Sequence, residues 1–344
     1  MYPDISYSEL EDKLKTDEYV LIDVRTPDEY SQETIPGAIN VPLFSNQERA
    51  IVGTAYKQKS VEEAKMIGVE AVAKRLPEMF KTLLEINKKH KHLVFFCARG
   101  GFRSGSVVAF LQSLHISALK LQGGYKAYRT YVNERLPEVA KDIELIVLYG
   151  NTGTGKTQVL EALKRKGADV LDLEGCANHR GSTLGAVGLG EPNTQKMFEA
   201  LLYEELKDRK GNLVFTEGES KRIGRSVIPE YIFDKIRGGI HVEVTAPMDI
   251  RVENIVGDYV YDTDEDLIEA LNHLRKRLGN ERIDHYIQLV KEDDYRTVAR
   301  ELMIDYYDPM YEHNPKNYVF KVENLDPEKS AENLMEHFLV ESGK

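Results

Sequence analysis

The sequence predicts an α/β fold made of two parallel-sheet domains, the second ending in a helical region. Three observations carry this expectation. Short β-branched or aromatic runs alternate with longer helical patterns along the whole chain. The 344 residues suffice for about two domains at one per ~150 residues. A proline-containing polar stretch at 136–141 separates two series of strands, dividing the chain into 1–138 and 139–344.

In the first series a strand is expected at 19–23 (YVLID). Helices follow over 61–76 and 77–89, the second beginning at Pro77, then a strongly apolar strand at 93–97 (LVFFC). A helix over 104–114 and a strand at 118–121 (ALKL) close the set. The second series opens with 144–149 (ELIVLY) and a helix over 158–166. Its other strands are 169–173 (DVLDL), 213–216 (LVFT), 240–245 (IHVEVT) and 318–322 (YVFKV), while 246–315 reads as helical. Within that region the run 258–269 has six acids and no base, the pattern of a solvated helix start or loop. No internal repeat is evident.

Composition narrows the function classes. The chain has 46 basic and 57 acidic side chains, a net charge of −11. Residues 1–140 hold 19 and 18 of these, near neutrality, so the remainder carries −12. A general nucleic-acid coat, which needs many phosphate-neutralising cations, is excluded; any RNA contact has to use local patches. Those on offer are 88–92 (KKHKH), 221–225 (KRIGR) and 273–277 (HLRKR). Cys97 and Cys176 cannot form a disulfide framework, and no spacing suggests a zinc site, so no residue is assigned to a metal. No apolar run reaches the ~18–20 residues of a membrane span, and the polar, acidic start is not a targeting peptide. The expected compartment is the reducing cytoplasm.

Cys97 ends a strand and is followed by ARGGFRS and then a helical run. Such a strand–loop–helix turn aims successive amides and a helix N-terminus at one point, which then binds anions. Arg99 and Arg103 add positive charge, and a thiol held there should be a nucleophilic thiolate. The 23–25 DVR, 29–30 EY, 35–42 IPGAINVP and 121–128 LQGGYKAY segments resemble the opening and closing signatures of rhodanese domains. The resemblance implies that Cys97 carries sulfur or selenium, with the loop amides and Arg103 cradling the anion. Seven residues run from Cys97 to Arg103, one more than in common sulfurtransferase loops. Arg99, Gly100, Gly101, Phe102 and Ser104 would therefore enclose a larger oxyanion, such as a phosphate-bearing chalcogen compound. Cysteine phosphatases share this loop type, so phosphatase chemistry is a rival.

Residues 150–157, GNTGTGKT, match G-x-x-x-x-G-K-[ST] in full, between a strand and a helix as the motif requires. Gly150, Gly153 and Gly155 let the backbone wrap a phosphate, and Lys156 would meet its terminal oxygens. The Thr157 hydroxyl would reach a Mg²⁺ if one accompanies the ligand. Glu217, ending the strand LVFTE, is the expected metal or water holder, with Asp172 weaker. Neither is the usual hydrophobic-strand Asp, leaving a pyrophosphate ligand other than ATP open.

Two clusters follow later strands: 173–182 (LEGCANHRGS) and 216–225 (TEGESKRIGR). Both should lie at the carboxyl edge of the sheet beside the phosphate loop. His179, Arg180, Ser182, Arg222 and Arg225 are the candidates there for phosphate or RNA contact, His179 also as an acid or base. Cys176 reads as a small packing residue.

A rhodanese-like domain followed by this phosphate-loop domain, with NHRGS, GES-x-R-x-IG and YYDPMY at 306–311, resembles the bacterial tRNA 2-selenouridine synthases over nearly its whole length. The resemblance implies exchange of sulfur for selenium in wobble 2-thiouridine, with selenophosphate as donor. It also implies transfer of a geranyl group from geranyl diphosphate to that sulfur as an intermediate step. Both are co-substrates, and no tightly bound cofactor is implied. The partners are then the tRNA anticodon loop and a selenophosphate-producing enzyme, with no membrane. Residues of 246–315 would form part of the wall around the geranyl chain. Two rivals stand beside this reading: an ATP-dependent tRNA thiolation enzyme with a rhodanese sulfur carrier, and a non-catalytic phosphate-loop and rhodanese redox switch.

Overall fold

The structure, a computed structural model, describes residues 3–182, 184–259, 264–312 and 317–340, the side chains of 259, 311, 312 and 340 excepted. The chain divides into two compact units between Arg135 and Leu136.

The first unit runs β1 (Asp4–Ile5), α1 (Tyr7–Leu10), β2 (Tyr19–Asp23), α2 (Pro27–Gln32), β3 (Ile39–Asn40), α3 (Asn46–Gln58), α4 (Val61–Asn87), β4 (His92–Phe96), α5 (Phe102–Ser113), β5 (Ala118–Leu121) and most of α6 (Gly124–Val139), whose last turn belongs to the second unit. Its sheet has the order β1-β5-β4-β2-β3, and every pair is parallel. The central β2 and β4 are buried over four of their five residues. That is why they read as unbroken apolar runs. The expected break at Pro77 is corrected: α4 is one 27-residue helix with the proline inside it. Ala64, Gly68, Met79 and Leu83 are buried on it before and after Pro77. Packing of one continuous face thus outweighs the lost N–H and the ring clash.

The second unit runs β6 (Glu144–Tyr149), α7 (Lys156–Arg165), β7 (Val170–Leu171), α8 (Leu173–Ala177), α9 (Gln195–Lys207), β8 (Leu213–Glu217), β9 (Arg222–Ile223), β10 (Ser226–Val227), α10 (Glu230–Gly238) and β11 (Ile240–Thr245). There follow α11 (Met248–Tyr259), α12 (Glu265–His273), α13 (Arg275–Leu278), α14 (Asn280–Lys291), α15 (Tyr295–Leu302), a π-turn at Met303–Tyr307, α16 (Asp308–Glu312), β12 (Phe320–Glu323) and α17 (Pro327–Met335). The main sheet, β12-β11-β6-β8-β7, is parallel throughout. The strand expected over 169–173 shortens to β7 because Asp172 leaves it to cap α8, accepting the Gly175 amide at 2.8 Å. The 216–225 segment holds an element the sequence hid, the antiparallel pair β9–β10. The described residues of 246–315 form the helices α11–α16 and the π-turn, joined by short turns, and have their own core of Leu271, Ile283, Tyr286 and Val290. Part of the acidic run 258–269, residues 260–263, lies outside the described residues. No helix among the described residues is long and apolar enough to cross a membrane.

These topologies place the chemistry. β6 lies between β8 and β11, so the chain winds to both sides of it. The phosphate loop therefore leaves the carboxyl end of β6 at the switch point where open α/β sheets take ligands.

Candidate functional site

Cys97 leaves the end of β4 and is only 4% exposed. Burial alone would push its thiol up. Hydrogen bonds from the Ser104 hydroxyl and the amides of Ser104, Arg99 and Gly101 outweigh this and hold it below the ordinary thiol value. Ser104 Oγ lies 3.3 Å from the sulfur. The amide ring is thus real geometry, and its ordinary ligand would be an anion. The turn depends on glycine. Gly100 has φ +61°, and a Cβ there would sit 3.0 Å from the Leu121 carbonyl oxygen. On the facing segment Gly124 has φ +59°, and its Cβ would fall 2.2 Å from the Cys97 carbonyl oxygen. The amides of Tyr125 and Lys126 donate to the carbonyls of Cys97 and Ala98 at 2.9 and 3.0 Å, locking the loop from below. Gly101 caps α5, Arg99 is exposed, and Phe102 stands in solvent at 79% exposure.

Arg103 is placed differently from the expectation. Its guanidinium grips Glu29 bidentately at 2.6 and 3.1 Å. Burial would raise Glu29, yet the Arg103 hydrogen bonds and charge keep its carboxyl below the usual range. Arg103 therefore braces the loop against α2, leaving Arg99 as the exposed arginine of the loop. Glu29 lies in the 29–30 EY signature, but its role at the loop is hidden from the sequence because its partner is 74 positions away.

In the phosphate loop, Gly153 and Gly155 have φ +80° and +81°, and a Cβ at Gly150 would lie 2.2 Å from the Val244 carbonyl oxygen. Lys156 Nζ folds back to the Gly150 and Asn151 carbonyls at 2.9 and 3.4 Å. Thr157 Oγ1 donates to Glu174 Oε2 at 3.3 Å. The loop is fastened by residues that its motif does not contain. Arg251 Nε donates to the Thr152 carbonyl, Asn254 Nδ2 to that of Gly153 and Asn324 Nδ2 to that of Thr154, at 2.8–2.9 Å. Arg251 is in turn gripped by Asp308 at 2.9 and 2.5 Å. This gives the aspartate of the YYDPMY segment a physical task.

Beside the loop stand four carboxyls, those of Asp172, Glu174, Glu217 and Glu219. Glu217, 2% exposed, accepts the Glu174 amide at 2.6 Å through Oε1, while Oε2 has no partner among the described residues. Burial, then Asp172 and Glu174, push Glu217 well above the carboxylate range. Burial and the Glu219 charge push Glu174 up to about 8, against the pull of Lys156. Among the described residues no three His, Cys, Asp or Glu side chains are grouped to hold a metal ion.

His179 packs between two glycines, its Cδ2 2.7 Å from a Cβ at Gly224 and its Nδ1 2.8 Å from one at Gly185. Burial, then Arg180, lower its pKa, and Nδ1 is buried without a partner among the described residues. Arg180 donates to the Val187 carbonyl at 2.8 Å, and the Ser182 amide donates to the Arg180 carbonyl at 2.5 Å. Arg225 is tied to the Asn193 and Pro192 carbonyls and to Glu191. Arg222 is exposed on β9. In the three basic patches Lys88, Lys91, Lys221, Arg225 and Arg275 all pair with nearby carboxylates.

The feature no motif announced is a small, partly open apolar pocket. Ile255, Leu267, Val298, Ala299, Leu302 and Met303 are among its walls, and Thr152 of the phosphate loop is at its edge. Its wall residues are scattered from 152 to 307, so only the apolar periodicity of the helices pointed toward it.

Comparison with known proteins agrees with this arrangement. Residues 6–131 match the rhodanese-like domain and residues 143–339 the tRNA 2-selenouridine synthase AAA domain. A tRNA 2-selenouridine synthase of Pseudomonas syringae pv. syringae (strain B728a) is 32% identical over 334 residues, covering 88% of this chain and 90% of that protein. Another, from Nitrosomonas eutropha (strain DSM 101675 / C91 / Nm57), is 36% identical over 266 residues, covering 76% and 68%. Among solved structures, the N-terminal domain of a protein described as ATP/GTP binding from Clostridium difficile 630 is 42% identical, with a TM-score of 0.35, covering 37% of this chain and 97% of that one. By the match of the second domain and the extent of the curated relatives, the chain belongs to the tRNA 2-selenouridine synthase family.

Proposed function

We propose that this chain exchanges sulfur for selenium in wobble 2-thiouridine of tRNA, using geranyl diphosphate and then selenophosphate. The observation that carries the geranyl step is the apolar cavity meeting the phosphate loop at Thr152. A diphosphate held by the loop would have its hydrocarbon tail beside walls that reward burial at about 25 cal/mol per Å². In the first step the thiocarbonyl sulfur attacks the first carbon of the geranyl group. The S–C bond forms, the C–O bond breaks, diphosphate departs and the N3 proton is released. Lys156 would leave the Gly150 and Asn151 carbonyls to meet the charge developing on the diphosphate. A Mg²⁺ accompanying the diphosphate would meet the Thr157 hydroxyl.

Alkylation turns the sulfur into a competent leaving group. In the second step the selenium of selenophosphate adds at C2, the C2–S bond breaks, and geranylthiol leaves with a proton. Water then cleaves the P–Se bond and releases phosphate. The amide ring of the Cys97 loop suits the phosphate of the donor, and the Cys97 thiolate beside the selenium would take the Se–H proton as selenium adds and return it to the departing geranylthiol. A selenophosphate-producing enzyme supplies that donor, and the anticodon loop offers a base that can be splayed out. Incubation with 2-thiouridine tRNA, geranyl diphosphate and selenophosphate should yield S-geranyl and 2-seleno nucleosides by mass spectrometry. Absence of both refutes the reading.

A further inference from the structure

We propose that the α3–α4 hairpin and Phe102 form an RNA-docking surface beside Cys97, with Phe102 the stacking platform for an anticodon-loop base. The proposal rests on the tRNA substrate of the preceding reading and assigns that substrate a place.

Phe102 is the most exposed large apolar side chain described, at 79%, and it sits in the same loop as Cys97, five positions on. An aromatic ring in solvent gains nothing for folding, and removing it costs the fold little. Lys65 of α4 holds its ammonium 5.6 Å from the ring centroid and has no ion pair among the described residues. One turn on, Val69 is 64% exposed, and Met66 is 62% exposed; on α3, Tyr56 is 57% exposed. A free aromatic, an apolar rim and unpaired cations together are what single-stranded nucleic acid binds, through base stacking and backbone neutralisation.

Charge selects the occupant. Residues 46–87, the α3–α4 hairpin, carry seven Lys and Arg against six Asp and Glu, a net +1 in a chain whose total is −11. Exposed Arg99 adds to this at the lip of the loop. With Lys65 against the Phe102 ring and Arg99 exposed in the same loop, this edge of the surface complements a polyanion. Placing the base on Phe102 would also bring its C2 substituent to the loop where selenium must be delivered.

The test is binding, by fluorescence anisotropy, of a labelled anticodon stem–loop RNA carrying 2-thiouridine to the full chain. Phe102→Ala should weaken binding about tenfold or more, as loss of one base–aromatic stack does, while Phe102→Tyr retains it. Lys65→Glu should weaken binding and flatten the log–log salt dependence by about 0.7 or more. Unchanged RNA affinity in Phe102→Ala, or equal loss in Ala and Tyr variants, overturns the proposal. So does a defect seen only when selenophosphate comes from its producing enzyme and not when added free, which would make the surface a protein dock. Because binding needs no turnover, RNA affinity that depends on Phe102 in a chain making no seleno product would refute the proposed function and leave the surface standing.

Discussion

Asp308→Ala tests whether the phosphate loop is held from a distance. Asp308 binds Arg251 through two hydrogen bonds of 2.9 and 2.5 Å, and Arg251 Nε holds the Thr152 carbonyl at 2.9 Å. The Arg251 side chain is 8% exposed and that of Asp308 20%. Removing one partner of a buried pair costs about 3–5 kcal/mol, because the remaining charge stays buried and unpaired. Partial exposure of Asp308 puts the expected loss near the lower end, about 3 kcal/mol. At ~2–4 °C per kcal/mol for a unit of this size, its melting transition should fall by roughly 6–12 °C. The double variant Arg251→Met/Asp308→Leu removes both charges, so its loss should shrink to about 1 kcal/mol, the hydrogen bond to Thr152. The double variant removes the hydrogen bond to the Thr152 carbonyl and the single one leaves its donor unbraced, so both should raise KM for geranyl diphosphate, the double variant more. Calorimetry and steady-state kinetics on the full chain read these two effects separately. A loss below about 1 kcal/mol in Asp308→Ala, or a double variant as unstable as the single one, would refute the reasoning.

Three further outcomes follow from the sites. Ala299→Phe should fill the cavity and raise KM for geranyl diphosphate while leaving affinity for inorganic diphosphate unchanged; equal effects on both would detach the cavity from the substrate. Gly124→Ala forces a side chain into φ +59° and onto the Cys97 carbonyl, costing about 1–2 kcal/mol for the backbone alone; it should abolish selenium insertion, and full activity would contradict the loop packing. The Cys97 thiol is held below its ordinary value by hydrogen bonds that favour the thiolate. Its alkylation rate should therefore stay high as pH falls below the usual thiol range, and Ser104→Ala should move the inflection upward; an unmoved inflection denies Ser104 that part.

What was legible in the sequence was whatever is local. The Cys97 loop and the phosphate loop are contiguous runs whose glycines and strand flanks define them, and the structure places both at carboxyl ends of parallel strands. What escaped is long-range. Arg103 looked like an anion ligand until Glu29 was brought to it, and Arg251, Asn254 and Asn324 reach the phosphate loop from about 100 to 170 positions away. Local pattern also misled where tertiary packing prevailed, as at Pro77 inside α4. Asp172 ended its strand early by capping α8. Glu174 and Glu219 were in view as sequence but gained meaning only when burial set them beside Glu217 and Lys156.

The central claim, two chemistries on two separate loops, is met most directly by nucleoside mass spectrometry of 2-thiouridine tRNA treated with two variants. With both co-substrates present, Cys97→Ala should accumulate S-geranyl-2-thiouridine and form no 2-selenouridine, and Lys156→Ala should form neither. S-geranyl product from Lys156→Ala, or 2-selenouridine from Cys97→Ala, would contradict the account.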